Sequence, residues 1–457
     1  MNGQAATLTD RQRAYRSEFF HHAMGKLLVS CGPMDARGRR TVAGLSAVTA
    51  LAFGAWILQL SKGLSVTAMG DYFSWGVYIT DFVFFIGISM AGTLISALLR
   101  LSGAPWRQPI TRMAEGITVC ALLVAAPLII IDMGRPDRIL YTVIHARLQS
   151  PILWDVLSLS TYLAGSLLYL YLPLIPDFAL MRDQGDRFPA WANRLYRTLA
   201  LGWRGTEAQR HRLERAIAVM AIAIIPVAVS IHTVTAWLFG LTLRPGWHST
   251  IIGPDFVVGA IYSGVAAVIT FMALFRRVFR LGRYLQPLHF QKLAWILVAS
   301  GLVYAYFTVN EFIGGIYAKE LSDRPLLSSM FSGAFAWEFW TMTVVGLVLP
   351  MAILLTPRLR TISGIVTASV MVNVGMWIMR FLIVVPTLAS PYMPIPGAPG
   401  HHLAYIPTWV EWTITAGAFA AFGLLYILFS RIAPVISIWE LVEENGQGQP
   451  RKEASHA

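Results

Sequence analysis

Long stretches of apolar residues recur along the chain, separated by shorter polar segments. Nearly all of them reach the ~20 residues that a helix needs to cross ~30 Å of hydrocarbon. Because backbone groups in lipid must be hydrogen-bonded internally, the pattern predicts helices rather than strands. The predicted fold class is an all-α integral membrane protein with ten transmembrane helices, at 43–60, 75–99, 113–132, 155–175, 216–240, 255–275, 290–315, 331–355, 361–387 and 408–433.

A weak internal repeat divides these spans. Spans two and six both begin Asp-Phe-Val, at Asp81 and Asp255, and both end at arginine. Spans two to five and six to nine are therefore expected to form two four-helix bundles, with spans one and ten peripheral, although a three-residue match also arises by chance. The predicted domains are an N-terminal segment 1–42, a membrane domain 43–433 and a C-terminal tail 434–457.

Charge distribution predicts the orientation of the spans. The chain has 457 residues, of which 56% are hydrophobic and 13% charged, and this excludes a soluble globular or a disordered protein. Its net charge of +12 does not indicate nucleic-acid binding, since 26 Lys and Arg residues lie in loops on the side of the termini and 7 on the other. Both termini are thus expected in the cytoplasm of a bacterial inner-membrane protein, with the lipid bilayer, especially its anionic lipids, as partner.

Targeting and surface segments are predicted from the remaining polar stretches. No cleavable signal peptide is expected within 1–42, where a surface helix around Asp10–Leu28 is predicted, and the first span is the expected targeting signal. The basic loop 176–215 is predicted to hold an interfacial helix, or to be a solvated loop. The Pro- and Gly-rich loops 133–154 and 388–407 are candidates for docking another protein, or plain loops.

Cysteine and histidine usage bears on cofactors. Cys31 and Cys120 form no CxxC or CxxCH motif, so no iron–sulfur cluster, metal site or c-type haem is expected in this chain. Of ten histidines only His232 lies well inside a span, so a bis-histidine haem is not expected either. Any redox cofactor is then expected in a partner, or as a diffusible lipid-soluble molecule.

Ionisable residues within the spans gather toward the predicted extracytoplasmic side, which is the most informative feature of the chain. An intramembrane charge is costly and indicates a functional site. The other half holds chiefly Glu115, Arg215 and Lys292. Protons are therefore predicted to exchange at the outer face, with hydroxyls such as Ser158, Ser160 and Thr161 the alternative inward relay. The outer group comprises Asp81, Asp132, Asp155, His232, Asp255, Glu311, Glu338, Arg380 and Glu411.

Several of these residues also have structural interpretations. Asp155, Asp255 and Glu411 open helices and are suited to N-capping. Asp132 leads into a turn in which Asp137 is expected to pair with Arg135 or Arg138. A deep carboxylate such as Asp81 or Glu338 needs a partner, and Arg380 is the expected one. His232 is equally suited to a neutral core position, whereas the small residues around Glu311 leave room for a ligand.

The loop before span four contains residue types that suit a quinone. A quinone is a flat apolar ring with two carbonyls, and its reduction moves two protons with two electrons. Its site needs apolar walls and a titratable group, a task that suits histidine. His145 and Asp155 are the predicted proton-exchanging pair, Tyr141 and Trp154 the predicted walls, and Asp81 a further quinone-binding residue. Asp132, Arg135, His232, Glu311, Glu338 and Arg380 are the predicted surrounding charge network.

Ordered motifs add a resemblance to a known family. The stretches FVFFIGISMAGTLISALLR, RMAE, DMGRPDR, SPILWDVLSLSTYL, LGWRG, SIHTVTAWLFG and PGWHSTIIGPDFVVGAIYSG run from about Asp71 to Tyr317. They resemble the NrfD-like polysulfide reductase membrane-anchor family, most closely the ten-helix subunits of alternative complex III. The last third is matched by helix count only. Met90, Leu238 and Asp255 depart from the expected pattern, which puts any particular proton path in doubt.

The resemblance implies two four-helix bundles and a subunit without a bound redox cofactor of its own. It also implies a quinone site near the outer face that includes His145 and Asp155. That site is expected beneath an extracytoplasmic iron–sulfur protein, with molybdopterin-type or haem-containing subunits beyond it. The predicted function is a quinone-interacting membrane subunit of a respiratory or photosynthetic oxidoreductase complex. The alternatives are a proton-coupled secondary transporter and a membrane anchor without its own chemistry.

Overall fold

All ten predicted spans and the all-α class are confirmed. The computed structural model describes residue 31 and residues 34–184, 188–242, 244–318, 323–391 and 404–441. Within these ranges ten helices are long and apolar enough to cross a membrane. Spans 1 to 10 are Ala36–Lys62, Val77–Leu101, Gln108–Asp132, Pro151–Arg182, Glu207–Gly240, Ile252–Val278, Pro287–Ala318, Ala336–Leu355, Ile362–Leu388 and Trp409–Ile432. The predicted helix around Asp10–Leu28 and the residues 392–403 lie outside the described residues.

Several helices are longer than their apolar stretches. Span 4 continues from the predicted 155–175 to Pro151–Arg182, and span 5 begins at Glu207 rather than 216. The apolar stretch of a span ends at its first charged residue. The helix itself continues into the polar interface, because its backbone hydrogen bonds persist until a capping residue ends it. Thr206 supplies such a cap, because its side chain accepts from the backbone N–H of Gln209.

The predicted two-bundle arrangement is also present. Spans 2 to 5 pack together as one four-helix bundle and spans 6 to 9 as a second, while spans 1 and 10 pack on each other beside the first. Spans 2 and 6, which share the Asp-Phe-Val start, form the main contact between the bundles. There Gly87 faces Ser263 and Gly264 faces Ala91, and such small residues allow close helix packing within a membrane.

Span 8 departs from regular α-helix. Its central residues Met342–Val348 form a π-helical segment, and the preceding α-helical turn begins at Ala336. The carbonyl of Gly346 accepts a hydrogen bond from the Tyr262 hydroxyl at 3.0 Å. The predicted start at 331 was five residues early, because Arg324–Phe331 forms a separate short helix, here called the Leu326 helix.

The loop between spans 4 and 5 contains the predicted extra helix. Residues Ala190–Leu199 are helical, with Ala192 and Tyr196 buried and Trp191 68% exposed. This amphipathic pattern, with arginines at 194 and 197, suits a helix lying at a membrane surface.

The two ends of the membrane domain differ in how they are closed. The His145 end carries the loops 67–76, 133–150 and 241–251 together with the Leu326 helix. The Glu440 end carries the loops 102–107, 183–206, 279–286 and 356–361 and the segment 433–441. That segment returns beneath span 2, and Glu440 accepts from Arg100 at 2.9 Å and from Arg107 at 2.8 Å. The predicted C-terminal tail therefore begins with a packed segment.

A buried ion pair lies next to this segment. Arg112 and Asp177 are both fully buried and pair with each other, and Asp177 also accepts from the backbone N–H of Trp439 at 3.1 Å. Arg112 donates to the Pro173 carbonyl at 2.7 Å as well. The hydropathy pattern placed Arg112 in a loop and did not predict its pair with Asp177. The two residues meet only because spans 3 and 4 pack together next to the segment 433–441.

Candidate functional site

The predicted quinone loop presents its histidine to the surface. A single helical turn, Tyr141–Ile144, ends at His145, and both Tyr141 and His145 are exposed. Their rings meet edge to face with centroids 5.4 Å apart. His145 is thus held beside an aromatic wall, while its ring remains accessible for proton exchange.

Asp155 faces inward from the same region. It lies four residues into span 4, whose N-cap is Ser150, so it does not cap the helix. Asp155 is 5% exposed, and its Oδ1 accepts a hydrogen bond from the Thr235 hydroxyl of span 5 at 2.7 Å. The neighbouring Trp154 is half-buried and donates its indole N–H to the Leu148 carbonyl at 2.6 Å, which ties the loop to the start of the helix.

His145 and Asp155 therefore belong to one loop–helix junction but have different environments. Within the described part of the chain their side chains share no hydrogen bond, because Asp155 bonds to Thr235 and His145 packs on Tyr141. A proton passing between the two groups needs an intermediary, such as water or a bound ligand oxygen.

Asp81 has a different partner from the expected one. It is fully buried in span 2, and its Oδ1 accepts from the Trp377 indole N–H of span 9 at 2.7 Å. Its Oδ2 is buried without a hydrogen-bond partner. The expected pairing with Arg380 is wrong, since Trp377, three residues earlier in span 9, occupies that side of the helix facing span 2.

Arg380 lies instead against span 6. Its guanidinium carbon is 4.9 Å from the centroid of the Phe256 ring, a cation–π contact. Arg380 is 2% exposed, and its Nη1 is buried without a hydrogen-bond partner. Glu338, the other expected partner, is half-buried on span 8 with its Oε2 likewise unpartnered.

The other members of the predicted network are dispersed. His232 is buried, with its Nδ1 2.8 Å from the Ala228 carbonyl oxygen and its Nε2 3.1 Å from that of Ile86, so it links spans 5 and 2. This favours a structural role for the ring. Asp132 is half-buried with Oδ1 unpartnered, and Arg135 forms an exposed pair with Asp137 at 3.7 Å.

Glu411 is structural. Thr408, rather than Glu411 itself as predicted, is the N-cap of span 10, and Glu411 completes a capping box with it from three residues further on. The carboxylate also accepts from the Tyr405 hydroxyl at 2.6 Å and the Ala68 backbone N–H at 2.9 Å. These contacts fasten two loops of the His145 end to span 10.

A cavity of about 360 Å³ lies at the His145 end of the second bundle. It is bounded by the loop 246–252, spans 6, 7 and 9 and the Leu326 helix. Glu311 lines it and accepts from the Ser249 hydroxyl at 2.9 Å. The small residues beside Glu311 predicted this space, but nothing in the sequence indicated His248 and Asp323, whose side chains also line the cavity and approach each other to 3.7 Å.

Neither area is a metal centre. Over the ranges that the structure describes, no group of three or more His, Cys, Asp and Glu side chains is arranged to hold a metal ion. The His145 junction and the cavity contain hydrogen-bonding carboxylates, a surface imidazole and aromatic rings. Such groups can bind and exchange protons with an organic molecule.

Comparison with known proteins gives consistent matches over most of the chain. The family model described as "Polysulphide reductase, NrfD" matches residues 65–391. A putative dimethyl sulfoxide reductase membrane subunit of Halobacterium salinarum is 30% identical over 342 residues, 74% of each chain. A selenate reductase subunit of Mesobacillus selenatarsenatis is 24% identical over 87% of this chain and 94% of its own. The "Hdr-like menaquinol oxidoreductase integral membrane subunit" of Archaeoglobus fulgidus is 24% identical over 88% and 95%.

Proposed function

The chain belongs to the NrfD polysulphide reductase family, and we propose that it is the quinone-interacting membrane subunit of an oxidoreductase complex. In this proposal it exchanges electrons between the quinone pool and an extracytoplasmic iron–sulfur protein. Molybdopterin-type or haem-containing subunits complete the complex. Relatives named as a menaquinol oxidoreductase subunit and as subunits of two reductases support this assignment.

The loop–helix junction at His145 is the observation that carries the proposal. It combines an accessible imidazole, an aromatic wall and a buried carboxylate within fifteen residues, 141–155. A bound quinone would supply the transfer of two electrons and two protons. Tyr141 and Trp154 would flank its ring, and His145 would exchange protons with water. Asp155, held by Thr235, would accept or return a proton on the protein side.

An exposed apolar surface around His145 supports docking of a partner subunit there. Leu140, Val143, Ile144, Leu148 and Ile152 are each more than half exposed. A contiguous apolar patch of this kind is typical of a protein or membrane interaction site. An iron–sulfur protein seated on it would bring its cluster close to a quinone at His145.

The positive-inside rule supports the orientation that this docking needs. The loops and adjoining helix ends on the Glu440 side hold 26 Lys and Arg residues against 7 on the His145 side. The Glu440 end, with both termini, would then face the cytoplasm, and the His145 end the extracytoplasmic side of a bacterial inner membrane.

The test uses the complex purified with this subunit from its native membrane. We expect His145→Ala to lower quinol-linked turnover by about 100-fold, as for loss of a general acid–base group. The matched control is His211→Ala, since His211 is exposed at the other end of the domain. The proposal fails if the complex binds no quinone analogue and His145→Ala turns over like the wild type. Metal and haem analysis of the co-purified subunits tests the proposed partners separately.

A further inference from the structure

The cavity in the second bundle is a site distinct from the quinone loop. Its lining comes from the loop 246–252, spans 6, 7 and 9 and the Leu326 helix, and includes neither Tyr141 nor Trp154. Its volume of about 360 Å³ lies within the range of small-molecule sites, which begins near 300 Å³.

An unpartnered polar atom lies on the wall of this cavity, and others lie just beyond the lining. Asp255 lines it and is 8% exposed, yet its Oδ1 has no hydrogen-bond partner. Arg380 Nη1 and the Tyr304 hydroxyl, on the helices next to Asp255, are likewise buried and unpartnered. A buried polar atom without a partner is destabilising, so a ligand that donates to Asp255 would gain a hydrogen bond that the protein itself does not supply.

The remaining lining defines the chemistry of that ligand. The polar part of the lining combines three carboxylates, Asp255, Glu311 and Asp323, with His248, Asn310 and the hydroxyls of Ser249, Thr250, Thr308 and Thr387. The rest is apolar and includes three aromatic rings and two thioethers, which adapt to a flat molecule: Trp247, Phe256, Phe312, Met330 and Met379. The lining therefore fits an aromatic ring that carries hydroxyl donors, rather than an anion.

We propose that this cavity binds the head group of a second quinol, with Asp255 and Glu311 accepting hydrogen bonds from its hydroxyls. This inference rests on the proposed function, because it assumes that the subunit meets the quinone pool. Ser249 donates to one oxygen of Glu311 at 2.9 Å, so the carboxylate keeps its other oxygen for the ligand. The apolar rings and thioethers cover the faces of the quinol ring.

Photolabelling of the intact complex in lipid nanodiscs tests the site. The probe is a naphthoquinone with a diazirine on its tail, reduced to the quinol before illumination, and labelled peptides are identified by mass spectrometry. We expect labels in two regions, 140–155 and 308–330. Met330→Trp should fill the cavity and remove the second label alone. Val309→Trp, on the exposed side of span 7, should keep both.

A second variant avoids the steric change. Asp255→Asn removes the negative charge at nearly constant shape, and we expect the quinol concentration that half-saturates labelling of 308–330 to rise about tenfold or more. Asp137→Asn neutralises an exposed carboxylate at the same end and should change nothing. Wild-type labelling at 140–155 alone, or labelling of 308–330 unaltered in both Met330→Trp and Asp255→Asn, would overturn the second site. Labelling at neither region would overturn the proposed function itself.

Discussion

Two buried carboxylates in this protein, Asp81 and Asp155, each depend chiefly on one side-chain donor. Asp81 has a single hydrogen bond from a side chain, the Trp377 indole, while its other oxygen is unpartnered. Asp155 likewise depends on Thr235. Because burial penalises the charged form of a carboxylate, loss of such a donor leaves a costly group inside the bundle.

Trp377→Phe tests this dependence at Asp81. The ring packing is largely kept, but the N–H donor is lost, so we expect destabilisation by about 1–3 kcal/mol and a lower melting temperature in detergent. Trp337→Phe is the control, since Trp337 is 81% exposed and should change little. Equal melting of Trp377→Phe and the wild type would show that the indole hydrogen bond adds no stability.

Spans 8 and 9 are held together by a contact between backbones. Gly346, in the π-helical segment of span 8, lies so close to Gly375 of span 9 that a Cβ atom on either would overlap the other's Cα. No other residue type can occupy these positions without separating the helices.

Gly375→Ala should therefore destabilise the second bundle by about 1–3 kcal/mol through overpacking. Gly54→Ala is a matched control in span 1, where nothing lies within 4 Å of the added methyl group. There the better helix propensity of alanine should leave the melting temperature unchanged or slightly higher. A thermal shift assay on the purified protein compares the melting temperatures of the two variants with that of the wild type. An unchanged melting temperature in Gly375→Ala would refute the close contact.

The segment 433–441, which returns beneath span 2, is held in place by the ion pairs of Glu440 with Arg100 and Arg107. The strength of these pairs depends on pH, because Glu440 titrates. Burial alone would raise the pKa of Glu440, but Arg100 and Arg107 outweigh it and hold that pKa below the ordinary glutamate value of about 4.5. A depressed folded-state pKa contributes stability that is fully present above the unfolded pKa. That stability is lost as pH falls through the lower folded value.

We accordingly expect residues 435–441 to stay protected from hydrogen exchange at neutral pH and to lose protection below about pH 4.5, after correction for intrinsic rates. Glu440→Gln removes the titrating group, so its segment should be less protected at neutral pH and show a weaker acid transition. An acid transition of the same size in Glu440→Gln would assign it to another group.

Whether protons can reach the interior from the Glu440 end depends on how several spans and the segment 433–441 pack together. Glu115 is 2% exposed, hydrogen-bonds Ser96 and lies 3.6 Å from Arg100, so three arginines (100, 107 and 112) and the segment 433–441 separate it from the Glu440 end. Each of these arginines is paired with Glu440 or Asp177, so a proton moving along that route would disturb a buried ion pair, which is costly. The structure thus supports proton exchange at the His145 end, which remains a proposal.

We expect Glu115→Gln to leave quinol-linked turnover nearly intact, and Asp155→Asn to slow it by about 100-fold. Activity assays on the purified complex give the first comparison. A pH indicator inside and outside proteoliposomes gives the side of proton exchange. Proton uptake from the Glu440 side that vanishes in Glu115→Gln would overturn the proposal.

Hydroxyl contacts between helices involve different residues from those considered for an inward relay. Ser158, Ser160 and Thr161 each donate to a carbonyl of their own helix. The buried hydroxyls that meet across helices join spans 2, 3 and 4: Thr93 lies 3.3 Å from Thr118 and 2.9 Å from the Tyr162 hydroxyl. Spacing along one helix could not predict contacts made between three.

Properties that depend on local sequence could be predicted before the fold was known. Hydropathy fixed the ten spans, because a helix in lipid must satisfy its own backbone and present apolar side chains. The pair of Arg135 with Asp137 is also short-range, so sequence spacing was enough to anticipate it. The family motifs were local as well.

Only the tertiary structure decided which distant groups meet. Asp81 and Trp377 are 296 positions apart, and Arg100 and Glu440 are 340 apart. Their contact depends on how each helix is rotated and on where the chain returns, which hydropathy does not encode. The cavity beside Asp255 has the same origin, because its walls come from three spans, a loop and a short helix that pack around it.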